Sequence, residues 1–375
     1  MIKENEEMTA AEFFGGRDVI DRTYPAYHPM RELLLTDSIT NKSFQIVYDA
    51  NEIQWLENAK KCIDSIGKPN SMQVNDLSGY NSVLGEMRAF ADLLKMSEFT
   101  VSSLGTGAKG PDFLLTKKDD GSKVYVEVFA YPPRPDNVVV IDQGRKKYFR
   151  DKNGGLNSIQ ARISVQDPFG FPKPGKAGES TTANAVSKIC AIKFSEYQLD
   201  ANSVSILYFD TQSLAMSHTM LEQTSPVLEM NDTFTSGAIW LAYYGRKGFP
   251  ILQNASEGYV LPENCVPMQH DGHFNQKSGS KLNAVIIGVT NDPHQEGSKR
   301  LALLENSERP LPDSVRMALI NSGCFDEQQS RCGLLVDLKK KLLADQERLF
   351  DAFNRFKSMH KECSFTDGYY LPTSG

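Results

Sequence analysis

Two short apolar runs joined by a tight turn constrain the fold of this chain more than any other feature of its sequence. The runs DFLLTK and KVYVEVFAY have the length and the apolar, partly β-branched composition that are typical of strands. The residues DDG between them favour a hairpin turn. We therefore expect two neighbouring antiparallel strands here, and FTVSSL just before them predicts a third strand.

Helical patterns surround this three-strand meander. EIQWLENAKKCIDSIG predicts a helix that ends at Gly67, and NSVLGEMRAFADLLKMSEF predicts a stronger one, capped by Asn81 or Ser82. TANAVSKICAIKFSEYQL predicts a helix that precedes the strand SVSILYFDT, and LLVDLKKKLLADQERLFDAFNRFKSMHKE predicts a long amphipathic helix. Further strands are predicted in SFQIVYDA, GAIWLAYYG, KLNAVIIGVT and RLALLENS. The fold class is therefore mixed α/β.

Charge and composition limit the classes of protein that this chain can be. The net charge of −6 argues against a chain coated with nucleic acid along its whole surface. Residues 131–180 nevertheless contain nine Lys or Arg and five Asp or Glu, a local excess of positive charge. The sequence shows no signal peptide, no apolar stretch of membrane-spanning length and no paired cysteine motif. We expect a cytoplasmic protein with reduced cysteines and no membrane partner.

Two acidic residues lie on the predicted hairpin where they could bind a metal ion. Asp112 opens one strand and Glu127 lies in the next, and paired strands are only about 5 Å apart. Carboxylate oxygens are the hard ligands that Mg²⁺ prefers, and a bound divalent cation can activate phosphodiester hydrolysis. Glu86 lies on the preceding helix, on the face that includes Phe90, so its side chain is predicted to point toward the sheet. The alternatives are ordinary solvated acids on the hairpin and on the helix surface.

The segments GEMRAFADLL, GTGAKGPDFLL and KVYVEVFAY are similar, in order and spacing, to the core of the PD-(D/E)XK nuclease superfamily. The resemblance covers roughly residues 80–211 and implies a restriction-endonuclease-like αβββαβ core with a mixed sheet. It implies that Asp112 and Glu127 are metal-binding acids, that Glu86 is the helix glutamate, and that Mg²⁺ or Mn²⁺ is the cofactor. Phe129 stands where the family's Glu-x-Lys motif has its lysine.

Another lysine could replace the missing one. In some members of the superfamily the lysine has moved to the following helix, and here Lys193 shares an apolar helical stripe with Ile189. Gln198, just beyond, could orient a water molecule or a phosphate oxygen. Lys109, in the glycine-rich loop before Asp112, is expected to contact a phosphate. The alternative for Lys193 is a side chain that extends from the edge of the stripe into solvent.

A basic run follows the predicted site. Its cations could bind phosphates while the interleaved aromatic residues stack on bases, although a solvated loop is the alternative. The cations concerned are Arg145, Lys146, Lys147 and Arg150.

These features lead to two expectations about function. The first is a metal-dependent DNA endonuclease, with a restriction or other defence role. The second is a catalytically inactive nuclease fold that binds nucleic acid or another protein; a hydrolase of small phosphate esters is a third reading.

The expected organisation has four parts, and the C-terminal third should extend the sheet and help form the binding cleft or a homodimer. The parts are an N-terminal extension (1–75), the nuclease-like core (76–215) with a basic insertion (132–181), a strand-rich extension (216–333), and a C-terminal helix and tail (334–375).

Overall fold

A mixed sheet organises the part of the chain that the computed structural model describes. The described residues are 8–25, 28–70, 73–105, 110–131, 181–192, 203–214, 217–230, 233–253, 265–276, 281–290 and 299–359. Ten strands lie in these ranges: β1 (Phe99–Ser103), β2 (Phe113–Lys117), β3 (Lys123–Ala130), β4 (Val204–Asp210), β5 (Val227–Met230), β6 (Thr233–Ser236), β7 (Pro250–Leu252), β8 (Cys265–Pro267), β9 (Ala284–Gly288) and β10 (Leu301–Glu305).

Six of these strands form one sheet, in the order β1-β2-β3-β4-β9-β10. The first three strands pair antiparallel, with Val126 of β3 opposite Phe113 of β2, as the hairpin pattern predicts. β4 pairs parallel to β3 and also to β9, and β10 closes the sheet antiparallel to β9. The α/β class with a mixed sheet is therefore confirmed, and β9 and β10 extend the sheet beyond β4 as expected.

Nine α-helices accompany the sheet in the described residues. They are α1 (Ala10–Phe14), α2 (Arg17–Thr23), α3 (Ile39–Asp49), α4 (Ile53–Ile66), α5 (Val74–Leu94), α6 (Thr181–Cys190), α7 (Ala238–Tyr244), α8 (Asp313–Asn321) and α9 (Leu335–Met359). A 3₁₀ helix, Pro29–Leu34, precedes α3. Within the described ranges, no helix has the length and apolar content that crossing a membrane requires.

The two faces of the sheet are covered by different helices. On one face, called here the α5 face, Phe90 of α5 stacks on Phe113 of β2, with 4.8 Å between the ring centroids. On the other, the α6 face, Ile189 of α6 packs in one apolar cluster with Phe209 of β4 and Trp240 of α7. Because side chains alternate along a strand, each central strand contributes to both layers.

The segment SFQIVYDA, predicted as a strand, belongs instead to helix α3. Ser38 caps this helix by accepting a hydrogen bond from the Asn41 amide at 3.1 Å. The buried residues Thr40, Phe44 and Val47 recur at spacings of three and four, which is the helical period. The strand prediction was wrong because SFQIVYDA is only the C-terminal part of this helix, and the cap that marks the start of the helix lies upstream of it.

The segment GAIWLAYYG is also helical, not a strand. All seven residues of α7 are buried, so the helix shows no polar face from which its period could be recognised. Gly237 precedes the helix, and a Cβ atom there would lie 1.7 Å from the Ser225 carbonyl oxygen. Only glycine allows this close approach.

Two helices differ from their predicted limits. Helix α5 begins at Val74, so Asn81 is not its cap but an interior residue whose side-chain amide donates to the Tyr131 carbonyl at 3.0 Å. Helix α6 ends at Cys190, well short of the predicted end. Helix α4 ends as predicted, with Gly67 in the left-handed conformation at φ 62°.

Candidate functional site

Asp112 is fixed at the start of β2 by three backbone contacts. Its amide donates to the Val126 carbonyl at 3.0 Å, and its carbonyl accepts from the Leu104 amide at 2.9 Å. Its carboxylate Oδ2 accepts from the Val128 amide of β3 at 2.8 Å. This last bond turns the side chain toward β3, beside Glu127.

Glu127 lies in the middle of the sheet, with only 9% of its surface exposed. It is paired in register with Leu207 of β4 and shares the face of β3 on which Phe129 lies. Burial raises the pKa of the Glu127 carboxyl to about 9, and repulsion from Asp112 and then from Glu86 adds to this effect.

Glu86 reaches the same region from helix α5 because Gly85 lets the helix approach the sheet closely. A Cβ atom at Gly85 would lie 2.3 Å from the Ala130 Cβ and 3.0 Å from the Asp210 Oδ2, so any side chain there would push α5 away. Burial raises the pKa of Glu86 to about 8, repulsion from Asp112 adds to the increase, and a hydrogen bond with Ser82 opposes it.

Glu86, Asp112 and Glu127 together form what is called here the carboxylate cluster. Asp112 is the charge that both glutamates sense most strongly. Ala130 contacts α5, and Glu127 lies on the opposite face of β3. Burial raises the pKa of Asp112 to about 6, although the Val128 amide lowers it. The surroundings therefore disfavour negative charge at all three positions.

The donor chemistry of the cluster fits a divalent cation of the Mg²⁺ type. Within the ranges that the structure describes, no three His, Cys, Asp or Glu side chains are grouped as a ready-made ligand set. Mg²⁺ does not need one, because it is commonly held by one or two carboxylates while it keeps several waters. Asp112 and Glu127 could supply such a pair of hard oxygen donors. Burial is the main cause of the raised pKa of Glu127, and a cation there would relieve the repulsion that adds to it.

Phe129 occupies an aromatic environment on the α6 face. Its ring centroid lies 6.0 Å from that of Phe209 and 6.5 Å from that of Tyr131. The position at which the resembled motif has a lysine is therefore a packing position in this chain.

All of the other predicted site residues lie outside the described part of the chain. Helix α6 ends at Cys190, and Lys193 lies outside the described residues, so its role stays a prediction. The predicted residues outside the described ranges are Lys109, Arg145, Lys146, Lys147, Arg150, Lys193 and Gln198.

A buried ion pair next to the cluster was not anticipated from the sequence. The Arg88 guanidinium donates to Asp210 Oδ2 through Nη2 at 2.6 Å and through Nε at 3.1 Å. Both side chains are at most 1% exposed, and Arg88 Nη1 also donates to the Thr40 hydroxyl at 3.0 Å. The features of the sequence that could have indicated this pair are an arginine inside an apolar helical stretch and an aspartate that ends the apolar strand β4.

A second polar group lies further along α5. The Tyr208 hydroxyl donates to Asp92 Oδ2 at 2.6 Å, and Arg300 donates to the other oxygen of the same carboxylate. Arg300 also donates to the Gln212 side chain at 3.0 Å. These contacts tie α5 to the carboxyl end of β4 and to the start of β10.

Known proteins give no guide to this site. No family model matches the chain, and the searches of curated proteins and of solved structures likewise found no match.

Proposed function

We propose that the chain is a metal-dependent DNA endonuclease with a PD-(D/E)XK-type core. The observation that best supports this is the carboxylate cluster, in which the Val128 amide holds Asp112 beside Glu127 while α5 brings Glu86. The element order α5, β1, β2, β3, α6, β4, with β4 parallel to β3, is compatible with the αβββαβ arrangement of that superfamily. A restriction or defence role belongs to the same proposal.

In this mechanism Asp112 and Glu127 hold Mg²⁺ or Mn²⁺, and Glu86 acts as an outer or third ligand. The bound cation would supply Lewis-acid stabilisation of the charge that develops on the phosphate. The Val128 amide keeps the Asp112 carboxylate oriented without help from the metal.

The transition state also needs a positive group close to the phosphate. Lys193 remains the proposed source, and the basic run with Arg145, Lys146, Lys147 and Arg150 is the proposed contact with DNA, together with Lys109 and Gln198.

Cleavage of plasmid and single-stranded DNA with Mg²⁺ or Mn²⁺ tests the proposal. Asp112→Asn and Glu127→Gln are each expected to abolish cleavage because they remove a metal-binding charge without changing shape. Glu98→Gln is the matched control, since Glu98 is an exposed acid just before β1. Loss of cleavage in all three variants, or in none, would contradict the assigned site, and Lys193→Ala tests the proposed lysine separately.

The packing of Phe129 favours a second candidate, a nuclease fold that binds nucleic acid or a protein without cutting. In that case Phe129 is a core residue of a site that has lost its lysine. Two measurements together separate the candidates. They are the cleavage assay and the binding of Mn²⁺, followed by electron paramagnetic resonance. An inactive module would retain DNA or protein binding, and Asp112→Asn would leave that binding unchanged.

A further inference from the structure

A cleft of about 430 Å³ opens at the carboxyl ends of two parallel strands and is lined by none of the three cluster carboxylates. One wall consists of α3 and the residues just before it. The other contains Gln212, which follows β4, Thr290, which follows β9, and Arg300, which precedes β10. Crevices at the carboxyl ends of parallel strands commonly bind ligands, and this volume is typical of small-molecule sites.

Part of the α3 wall is apolar. Leu35, Ile39 and Ile46 line it, and Leu35 leaves 59% of its surface exposed. Ile39 and Ile46 are seven positions apart on α3 and therefore share one face of the helix. An apolar part of a ligand would gain burial against this side.

The cationic groups of the cleft are Lys42, Lys95 and Arg300. Both lysines are exposed at its rim, and Arg300 keeps further N–H donors beyond those that bind Asp92 and Gln212.

The cleft also has two acidic residues, Glu32 and Asp37. The Glu32 carboxylate accepts from the Thr40 hydroxyl at 2.6 Å and is one of the charges that raise the pKa of Arg88, so its charge is partly engaged. Asp37 is exposed, and Asp92, behind the lining, accepts from Arg300 and lies 3.5 Å from the Lys95 ammonium. The charges are therefore mixed. Lys42 lies on the α3 wall and Arg300 on the opposite wall, so an anion between the two walls could contact both.

The amino-terminal turn of α3 adds a further feature of an anion site. Ser38 and Ile39 line the cleft at the start of an 11-residue helix, where backbone N–H groups lack intrahelical partners. Ser43, on the next turn, also lines the cleft and is 1% exposed. Its hydroxyl has no hydrogen-bond partner among the residues that the structure describes. That oxygen is itself buried, so it lies behind the surface of the cleft and is not one of the groups proposed to contact the ligand.

We propose that this cleft binds a small organic phosphate, with the phosphate held by Arg300, Lys42 and the start of α3. The apolar part of the ligand lies against Leu35 and the isoleucines of α3. This proposal does not depend on the nuclease activity, because its residues are different and its test is direct binding.

Calorimetric titration of the full-length chain with adenosine monophosphate, inorganic phosphate and adenosine tests the proposal. Adenosine monophosphate is expected to bind more tightly than either fragment, because only it has both the phosphate and the apolar ring. Lys42→Gln is expected to weaken its binding about tenfold, the effect of losing one charge-assisted hydrogen bond of about 1.4 kcal/mol. Arg300→Gln should have at least as large an effect.

Lys61→Gln is the matched control, because Lys61 is an exposed helical lysine outside the lining. Lys42 is exposed, so its variant tests the site even if Arg300→Gln fails to fold. Three results would overturn the proposal: no binding of any phosphate probe, equal weakening in the Lys42 and Lys61 variants, or adenosine bound as tightly as its monophosphate. Binding of a short DNA duplex that depends on Lys42, without binding of the mononucleotide, would also overturn it.

Discussion

Replacing Glu127 with glutamine should make the metal-free protein more stable at alkaline pH. The folded chain holds the Glu127 proton up to a pKa of about 9, whereas an unfolded chain releases it near the ordinary value of 4.5. Between these two values the folded state binds more protons than the unfolded state, so stability falls as the pH rises. Glutamine keeps the shape of the protonated side chain and cannot ionise, so the variant lacks this loss.

The size of the effect follows from the pKa difference. One pKa unit corresponds to about 1.4 kcal/mol, so the full shift to about 9 sets an upper limit of roughly 6 kcal/mol. Relaxation of the cluster and coupling to Asp112 reduce this limit, and we expect about half, roughly 3 kcal/mol, at pH 9. Well below pH 4.5, Glu127 is protonated in both states, so the stability difference between the two proteins should level off there.

Urea unfolding in the presence of a chelator, at several pH values between 4.5 and 9, measures this difference. Added Mg²⁺ should restore stability to the wild type at high pH and have little effect on the variant, because the cation stabilises the ionised carboxylates. Glu98→Gln should follow the wild type throughout. A constant stability difference between Glu127→Gln and the wild type across this range would refute the argument, since only a shifted pKa produces a pH-dependent one.

Three further substitutions test the packing around helix α5, which contains Gly85, Arg88 and the neighbour of His28, Tyr80. Gly85→Ala should destabilise the fold by about 1–3 kcal/mol because its new methyl group overlaps β3. The control, Gly79→Ala, places its methyl group against only a flexible side chain and should change the stability little. Thermal unfolding compares the two variants. Arg88→Met should cost about 3–5 kcal/mol in urea unfolding, because it leaves the Asp210 charge buried without its partner; a cost near zero would contradict the buried pair. Burial lowers the pKa of His28 to about 4, so acidification from about pH 6.5 should destabilise the wild type more than His28→Asn, as measured by unfolding across that range.

The strands of the central sheet could be predicted from the sequence because each has a short apolar run with clear turn signals. The hairpin pattern of β2 and β3 was also enough to predict that Asp112 and Glu127 lie on neighbouring strands. The same pattern, however, did not show that Glu86 lies close enough to Asp112 for the two charges to repel each other. That arrangement depends on how closely α5 packs on the sheet, which is a tertiary property set at Gly85.

The failures have identifiable physical causes. Helix α7 is buried on every side, so its sequence lacks the periodicity that separates a helix from a strand. The pairing of Arg88 with Asp210 joins residues 122 positions apart, and no local pattern predicts such a partner. The limit of α6 was overestimated because its apolar spacing continues past Cys190, where the helix ends.

The Arg88–Asp210 pair also has a consequence for the order in which the protein can be assembled during synthesis. All three cluster carboxylates are translated before β4, so a nascent chain contains them before it contains the aspartate that holds α5 in place. Contacts over such sequence separations form late because closing a long loop costs entropy. Until Asp210 has been made, Arg88 is a solvated cation and α5 lacks its anchor on β4. A ribosome-bound chain that stops before residue 203 would therefore have every acid of the cluster but not the ion pair that positions Glu86.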